Sequence, residues 1–520
     1  MHRLRLYSLL LVVIVLLSTV GLTWGAEREL TYRVIQKEDH KEIEVTTALA
    51  SYVFSEDGGV LKSLFLHFAS YGSAVTELVP GTKTDRKSLE RQYVARTRFP
   101  FALAGEGLEG SFVLSEPYLP SPEELVVEFR GQLGDLAVTK RFTVHNDPYY
   151  TINVGIAIDS SSVEERSVRL SLGDYLPKEK GPSLVYQFDG DSTSDILAES
   201  SYASFDGLGL MDKATVFFLK ANSAPSTSPF VERTPAGNRH FGVTLTASAQ
   251  GVTSYTFSLY GGRRRFLLMD AVGLGKLDEP GTGARLMIPV IQFLEMLYRA
   301  TGNYGWAIIL LTLLLRVVLF PLMRKQYHSM AKMQKLAPKM QQIRQRFKDD
   351  RQLQQQKLME LYKKEGVNPM GGCLPMVIQL PILILLWKAI LYSSEQIHLS
   401  PGFLWLSDLS LRDPYFILVV LTTLVMILQT RLMTPVTAGE ASGSQKYMGY
   451  IFPLFMAVFL YNFPAGLWLY YFLTTVLQVG QQYFVNWELA RAEGGTVPVQ
   501  ASPDSAEEGQ VDDGDRQAGD

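Results

Sequence analysis

An arginine stands in the middle of an apolar run long enough to cross a bilayer as a helix. The run extends from Trp306 to Met323, with "LLTLLLRVVLFPL" at its centre, and the arginine is Arg316. Guanidinium groups stay charged in proteins. One held at the centre of a membrane helix costs at least about 2.5–3.5 kcal/mol on insertion scales. Such a residue persists only where the helix turns it toward protein or water. No Asp or Glu lies in the core of any later apolar run, so the sequence offers no carboxylate there for a structural ion pair. Arg316 is therefore expected to face a wet cavity. Thr312 lies one helical turn away on the same side. Arg324 follows eight residues on, which sets Arg316 roughly 12 Å from that flank of the helix.

Four further apolar runs follow, at approximately Cys373–Tyr392, Tyr415–Leu432, Tyr447–Asn462 and Leu467–Phe484. The last two are joined by a tight turn around "NFPAG" and predict an antiparallel hairpin. A first apolar stretch, Leu6 to about Trp24, follows His2, Arg3 and Arg5. Its charged start and the small residues Gly25 and Ala26 fit a cleaved signal peptide. Its length and the terminal Trp24 fit an uncleaved anchor. Either way the residues after it lie outside the cytoplasm. The segment from Arg324 to Gly371 carries 12 Lys and Arg against 4 Asp and Glu, which assigns it to the cytoplasm. The loop Ser393–Pro414 has one Arg and a Trp, and belongs outside. With the anchor the spans number six, and both termini are cytoplasmic.

Between Glu27 and Asp278 alternation replaces membrane-length apolar runs. "VTKRFTVHN", "YTINVGIAI", "RSVRLSLG", "ATVFFLK" and "VTLTASAQGVTSYTFSLYGG" read as strands. "HNDPYY" and "LYGGRRR" read as turns. Many short strands without helical patterns between them predict a β-sandwich of roughly 250 residues. "DEPGTGA", Asp278 to Ala284, reads as a linker. After it, Gln292, Glu295 and Arg299 share one face of an amphipathic helix suited to a membrane interface. In the basic segment, Met330, Met333, Leu336, Met340, Ile343 and Phe347 form a heptad-like seam. "KDDRQ" breaks it, with Asp349 as N-cap and Gln352 three residues on, so two short helices in a hairpin are expected. The organisation is thus an anchor over 1–25, a β-sandwich domain over 26–280, and a linker with an interfacial helix over 281–302. A five-helix core over 303–490 contains the hairpin, 324–366, and an acidic tail fills 491–520.

The formal net charge of −3 points to no partner class, and the single cysteine, Cys373, excludes a disulfide framework. The seven histidines are scattered, no His, Cys or Asp cluster has metal-ligand spacing, and no nucleophile elbow or phosphate-binding loop is present. An intramembrane hydrolase would lack its nucleophile and base. A solute transporter would show repeats or broken helices, and no internal repeat is visible. Other polar groups can join Arg316 and Thr312. Gln379 sits between Pro375 and Pro381, whose freed carbonyls need partners. "GLWLYYFLTTVLQVGQQ" supplies Tyr470, Tyr471, Thr474 and Thr475, although tyrosines also serve as plain interfacial anchors.

A Thr–three apolar–Arg segment, a basic helical hairpin, "EGVNPMGGCLPMVIQLPI" at Glu365–Ile382, and then "FPAGLWLYYFLTTVLQVGQQ" occur here in that order. Together they resemble the YidC/Oxa/Alb family of membrane insertases, over essentially the whole chain. The anchor and β-sandwich resemble the large periplasmic domain of Gram-negative members. The resemblance implies a polytopic α-helical protein of the inner membrane with six transmembrane helices, a large periplasmic β-sandwich domain and a cytoplasmic helical hairpin. It implies a hydrophilic groove open to cytoplasm and lipid, with Arg316 and Thr312 inside it and Tyr470 and Tyr471 against a passing substrate helix. Nascent membrane proteins, the lipid bilayer, the Sec translocon, and the ribosome or targeting factors at the basic hairpin are the implied partners. No cofactor or energy source is implied, and the chain is not expected to be an enzyme. A chaperone without insertion activity is the alternative. Some members end in a basic tail that docks the ribosome. The tail here is acidic, which leaves that contact open.

Overall fold

A computed structural model describes residues 29–492 apart from 71–72, 80–81, 86–89, 94–97, 106–109, 176–181, 189–190, 195–204, 224–226, 236, 279, 367–373 and 434–442. The N-terminal apolar stretch, Cys373, most of the Asn-Pro motif and the acidic tail beyond Ala492 lie outside the described residues. The chain divides into two compact units. One comprises residues up to Leu311 with Pro381–Leu421 and Phe455–Tyr471, and the other comprises Thr312–Leu380, Thr422–Leu454 and Phe472 onward.

The first unit holds the β domain, and its sheets are antiparallel throughout. Five strands from Thr31–Gln36 to Thr76–Glu77 pair in chain order. A ten-stranded sheet is centred on Glu124–Leu133, Leu136–His145, Thr151–Ser160 and Gly251–Arg263, and a four-stranded sheet contains Arg166–Tyr175 and Arg239–Ala247. Strict alternation makes Leu136–His145 a half-buried strand, with Leu136, Val138, Phe142 and Val144 inward. These three sheets, of the four among the described residues, feed one core, for example Val45 and Phe54 from the first, Val127 and Phe142 from the second, and Val168 and Val243 from the third. Phe142 meets Phe54 at 4.9 Å and the edge of Phe101 at 5.1 Å between ring centroids. Each such fully buried side chain contributes about 1.5–3 kcal/mol. Antiparallel sheets that share one core make this a β-rich domain, in keeping with the alternation in its sequence.

Two local readings need correction. "LYGGRRR" is not a turn, because the strand Gly251–Arg263 runs through both glycines. A Cβ at Gly261 would lie 2.2 Å from Leu64 Cδ1, and one at Gly262 would lie 2.7 Å from Tyr150 Cδ2. These glycines admit neighbouring side chains against the backbone, which is the other use of glycine inside a strand. The stretch Asp278–Ala284 is only partly a linker. Gly281 is extended and its carbonyl accepts from Arg285 N at 3.0 Å, so the next helix already begins at Thr282.

The helices among the described residues are α1 (Phe266–Ala271), α2 (Thr282–Thr301), α3 (Tyr304–Arg346), α4 (Arg351–Lys364), α5 (Leu374–Tyr392), α6 (Ser394–Leu399), α7 (Ile417–Met433), α8 (Gly443–Leu460) and α9 (Ala465–Ala492). Helix α2 buries Met287, Ile291, Leu294 and Leu297 and turns the Glu295–Arg299 pair outward. It ends at Gly302, whose left-handed backbone donates to Tyr298 O at 2.7 Å. One stretch among the described residues, Tyr304–Met333, is long and apolar enough to cross a membrane. Val377–Tyr392, Ile417–Thr430 and Tyr450–Leu460 are shorter apolar helices.

The basic hairpin forms within the second unit, but its first arm is not a separate short helix. Helix α3 continues for 43 residues through Pro321 and Pro338. No glycine interrupts the sequence between the apolar run and the methionine seam. Helix α4 starts from Asp350, whose carboxylate accepts from Gln352 N at 3.0 Å and Leu353 N at 2.9 Å. The cap is thus one residue later than the capping-box reading placed it. Lys339 bridges to Glu365 at 2.8 Å, and the Tyr362 hydroxyl reaches Met340 Sδ at 3.7 Å, which closes the two arms.

Candidate functional site

Helix α3 is amphipathic in the inverted sense. Thr312 and Arg316 are buried, Arg316 at 7% exposure, while Val317 and Val318 are 71% and 72% exposed. Met323, Gln326 and Tyr327 are buried as well. They fall seven, ten and eleven residues after Arg316, which returns them to its side of a 3.6-residue helix. Polar groups therefore line the inner face for four turns, and the outer face is Leu313, Leu314, Val317, Val318 and Leu322.

The same inversion recurs in the second unit. Thr422 and Thr423 of α7 are buried while Leu424 and Leu428 are exposed. In α9, Thr474, Thr475 and Gln482 are buried while Tyr483 and Phe484 are exposed. Helix α8 exposes Ile451, Phe452 and Leu454. Water would penalise apolar surface of this extent, whereas hydrocarbon does not. Polar groups in such a surround are turned toward protein. Met323, Tyr327 and Val485 form an apolar cluster joined by Leu319 and Ile378, which packs α3, α5 and α9 together. Beyond it Arg324 Nε donates to Glu488 at 3.2 Å, and His328 lies 3.8 Å from the same carboxylate.

Of the residues singled out in the sequence, Thr312 and Arg316 share one buried face. Gln379 is half-buried on α5 in the same unit, next to the cluster residue Ile378. Tyr470 and Tyr471 belong to the first unit. Tyr470 is buried, and Tyr471 lines a small apolar cleft with Leu383, Met456, Phe463, Leu467 and Trp468. Trp468 donates to Leu460 O at 3.1 Å and meets Tyr471 edge-on. Gln326, Tyr327, Thr422 and Thr423 were not singled out. Their signal was present, since Gln326 and Tyr327 keep the helical phase of Arg316, and the two threonines interrupt an otherwise apolar run.

A second polar centre in the first unit was also missed. Arg265, just before α1, forms an ion pair with Glu395, which is almost fully buried. The guanidinium also donates to Leu391 O at 2.6 Å and to Ser394 Oγ at 2.7 Å. Ser394 donates to Ser70 at 3.1 Å, and the Tyr150 hydroxyl donates to Glu395 at 3.3 Å. Ser70 lies in "ASYGSA", a stretch that reads as a plain small-residue loop. The centre ties the β domain to the segment after α5 within one unit.

A β domain followed by helices that turn apolar surface outward and bury an arginine in a polar face defines a class: a membrane-embedded helical protein carrying a large extramembrane β domain. Residues 296–492 match the family described as the 60Kd inner membrane protein. Membrane protein insertase YidC of Wolinella succinogenes is 33% identical over 392 residues, covering 70% of this chain and 67% of that one. The protein of that name in Geobacter metallireducens is 30% identical over 484 residues, covering 88% of each. That of Burkholderia multivorans is 46% identical over 220 residues, which are 42% of this chain and 39% of the relative. A solved structure described as an active YidC insertase with its first transmembrane domain resolved covers 92% of this chain and 99% of its own. It matches with a TM-score of 0.52 at 22% identity, a likeness of fold. The chain belongs to the YidC family of membrane protein insertases. These relatives are named as insertases and not as enzymes.

Proposed function

We propose that the chain inserts nascent membrane proteins by receiving them from the cytoplasm in a hydrophilic intramembrane groove and releasing them sideways into lipid. The observation that carries this reading is the buried polar face of α3, with Thr312, Arg316, Gln326 and Tyr327 behind an apolar outer face. A polar substrate segment hydrated along such a face avoids much of the several kcal/mol that each charged group costs in hydrocarbon. The apolar part of the substrate then partitions into the bilayer through burial of its own surface. Arg316, Thr312 and Gln379 act in the groove, and Tyr470 and Tyr471 contact the passing helix.

The topology has six spans, both termini in the cytoplasm and the β domain in the periplasm of an inner membrane. The Lys and Arg excess of Arg324–Gly371 supports that orientation. The basic hairpin formed by α3 and α4 engages the ribosome or targeting factors, and the chain works alone or beside the Sec translocon. Photocrosslinkers placed at Thr312, Tyr470 and Tyr471 during synthesis of a small membrane protein are expected to capture the nascent chain. Capture at none of the three, with capture at exposed Val317 or Val318 instead, would overturn the groove.

A further inference from the structure

The first unit has a cleft of about 220 Å³ walled by Tyr149, Glu295, Tyr298, Arg299, Tyr304 and Gln396. It lies at the C-terminal end of α2, where Gly302 turns the chain into α3, the helix long enough to cross a membrane. Tyr298 and Tyr304 stack at 4.2 Å with an interplanar angle of 11°. Glu295 and Arg299, one helical turn apart, pair at 2.7 Å. The carboxylate is the deeper group, with a side chain 34% exposed, and the guanidinium stands at the mouth at 76%. Tyr149 and Glu295 line the same cleft, and burial first and the Glu295 charge second hold the tyrosine hydroxyl above its ordinary pKa.

Tyrosines beside the end of a membrane helix mark the headgroup level, and α2 exposes Leu286 and Met296 as an interfacial helix would. A carboxylate among tyrosine rings suits an ammonium, through charge and cation–π attraction. A guanidinium at the mouth suits a phosphate, which it grips with a planar fork. In an ethanolamine phospholipid the phosphate lies nearer the glycerol and the ammonium is distal, the same order as Arg299 outside and Glu295 inside. An anionic glycerol headgroup would satisfy Arg299 and oppose Glu295.

We propose that this cleft binds the headgroup of a zwitterionic aminophospholipid, with the ammonium on Glu295 between the tyrosines and the phosphate on Arg299. The inference rests on the membrane placement of α2 and α3 proposed above. The full chain would be reconstituted in nanodiscs of mixed phosphatidylethanolamine and phosphatidylglycerol, and the lipid retained on release counted by native mass spectrometry. One ethanolamine lipid should be retained in preference to phosphatidylglycerol. Glu295→Gln should reduce that preference about tenfold, the scale of losing a charge-assisted hydrogen bond. Arg299→Gln should lower retention of both lipids. Tyr298→Leu, which removes a ring without altering charge, should weaken ethanolamine retention alone. Equal retention of the two lipids by the unaltered chain would refute the site, as would a preference untouched by Glu295→Gln. A chain that does not enter nanodiscs would sink the membrane placement together with the site, whereas entry without preference would sink the site alone.

Discussion

Arg265 forms an ion pair with Glu395, 130 residues further along the chain, and the carboxylate is almost wholly withdrawn from solvent. Glu395 sits in the first turn of α6, where a negative charge suits the helix dipole. Removing one member of a buried pair strands the other charge at a cost of about 3–5 kcal/mol. Glu395→Ala should therefore lower the denaturant midpoint of the detergent-solubilised chain far more than an exposed control such as Glu360→Ala. Replacing both members, with Arg265→Met and Glu395→Leu, should recover part of the loss. A Glu395→Ala midpoint equal to that of the control would mean that the pair contributes nothing to the unit.

The proposed groove depends on the charge of Arg316. Arg316→Lys keeps the charge and loses the planar fork, so insertion should fall only mildly. Arg316→Ala should impair substrates with acidic translocated tails most and neutral-tailed ones least. Insertion of both classes would be measured at matched protein levels. Equal fractional loss for the two would point to a merely structural arginine.

Orientation can be read by cysteine labelling from outside intact cells. Single cysteines at exposed positions in the β domain, such as Val163 or Val252, should label, as should one at Leu411. A cysteine at Met359 on α4 should not. Labelling of Met359→Cys from outside would invert the topology.

Acid should destabilise the β domain through its paired carboxylates. Burial alone would raise the Glu42 pKa, but the hydrogen bond and charge of Lys62, with Lys37 beyond, outweigh it and hold the group below its ordinary 4.5. Glu44 is likewise held down against burial by Arg91 and Arg33. A carboxylate with a lowered folded pKa contributes stability that is complete above the unfolded value and is lost as pH falls through the folded one. Stability of the unaltered chain should therefore drop below about pH 4.5. Glu42→Gln should start lower at neutral pH and show a shallower acid slope in denaturant titrations across that range. An unchanged slope would remove Glu42 from the account.

Much of the site and fold was legible from short-range pattern. Thr312 and Arg316 share a face because helical phase is a property of neighbouring residues. Leu136–His145 and its partners alternate because a strand half-buried on a core must do so. The same phase would have found Gln326 and Tyr327 had it been carried three turns further. Elsewhere local pattern misled. "LYGGRRR" carries turn chemistry, yet its glycines sit in a strand because Leu64 and Tyr150 press on the backbone there.

Sequence by itself determined where the chain is apolar, in which period, and which charge breaks that pattern, because these depend on residues a few positions apart. Only tertiary structure decided that Ser70, Tyr150, Arg265 and Glu395 meet in one buried centre, and that Tyr149 closes a cleft with Glu295 and Arg299. Those groups are drawn from loops and helices up to hundreds of residues apart. Their burial and pairing arise from the packing of whole elements, and no window of the sequence contains it.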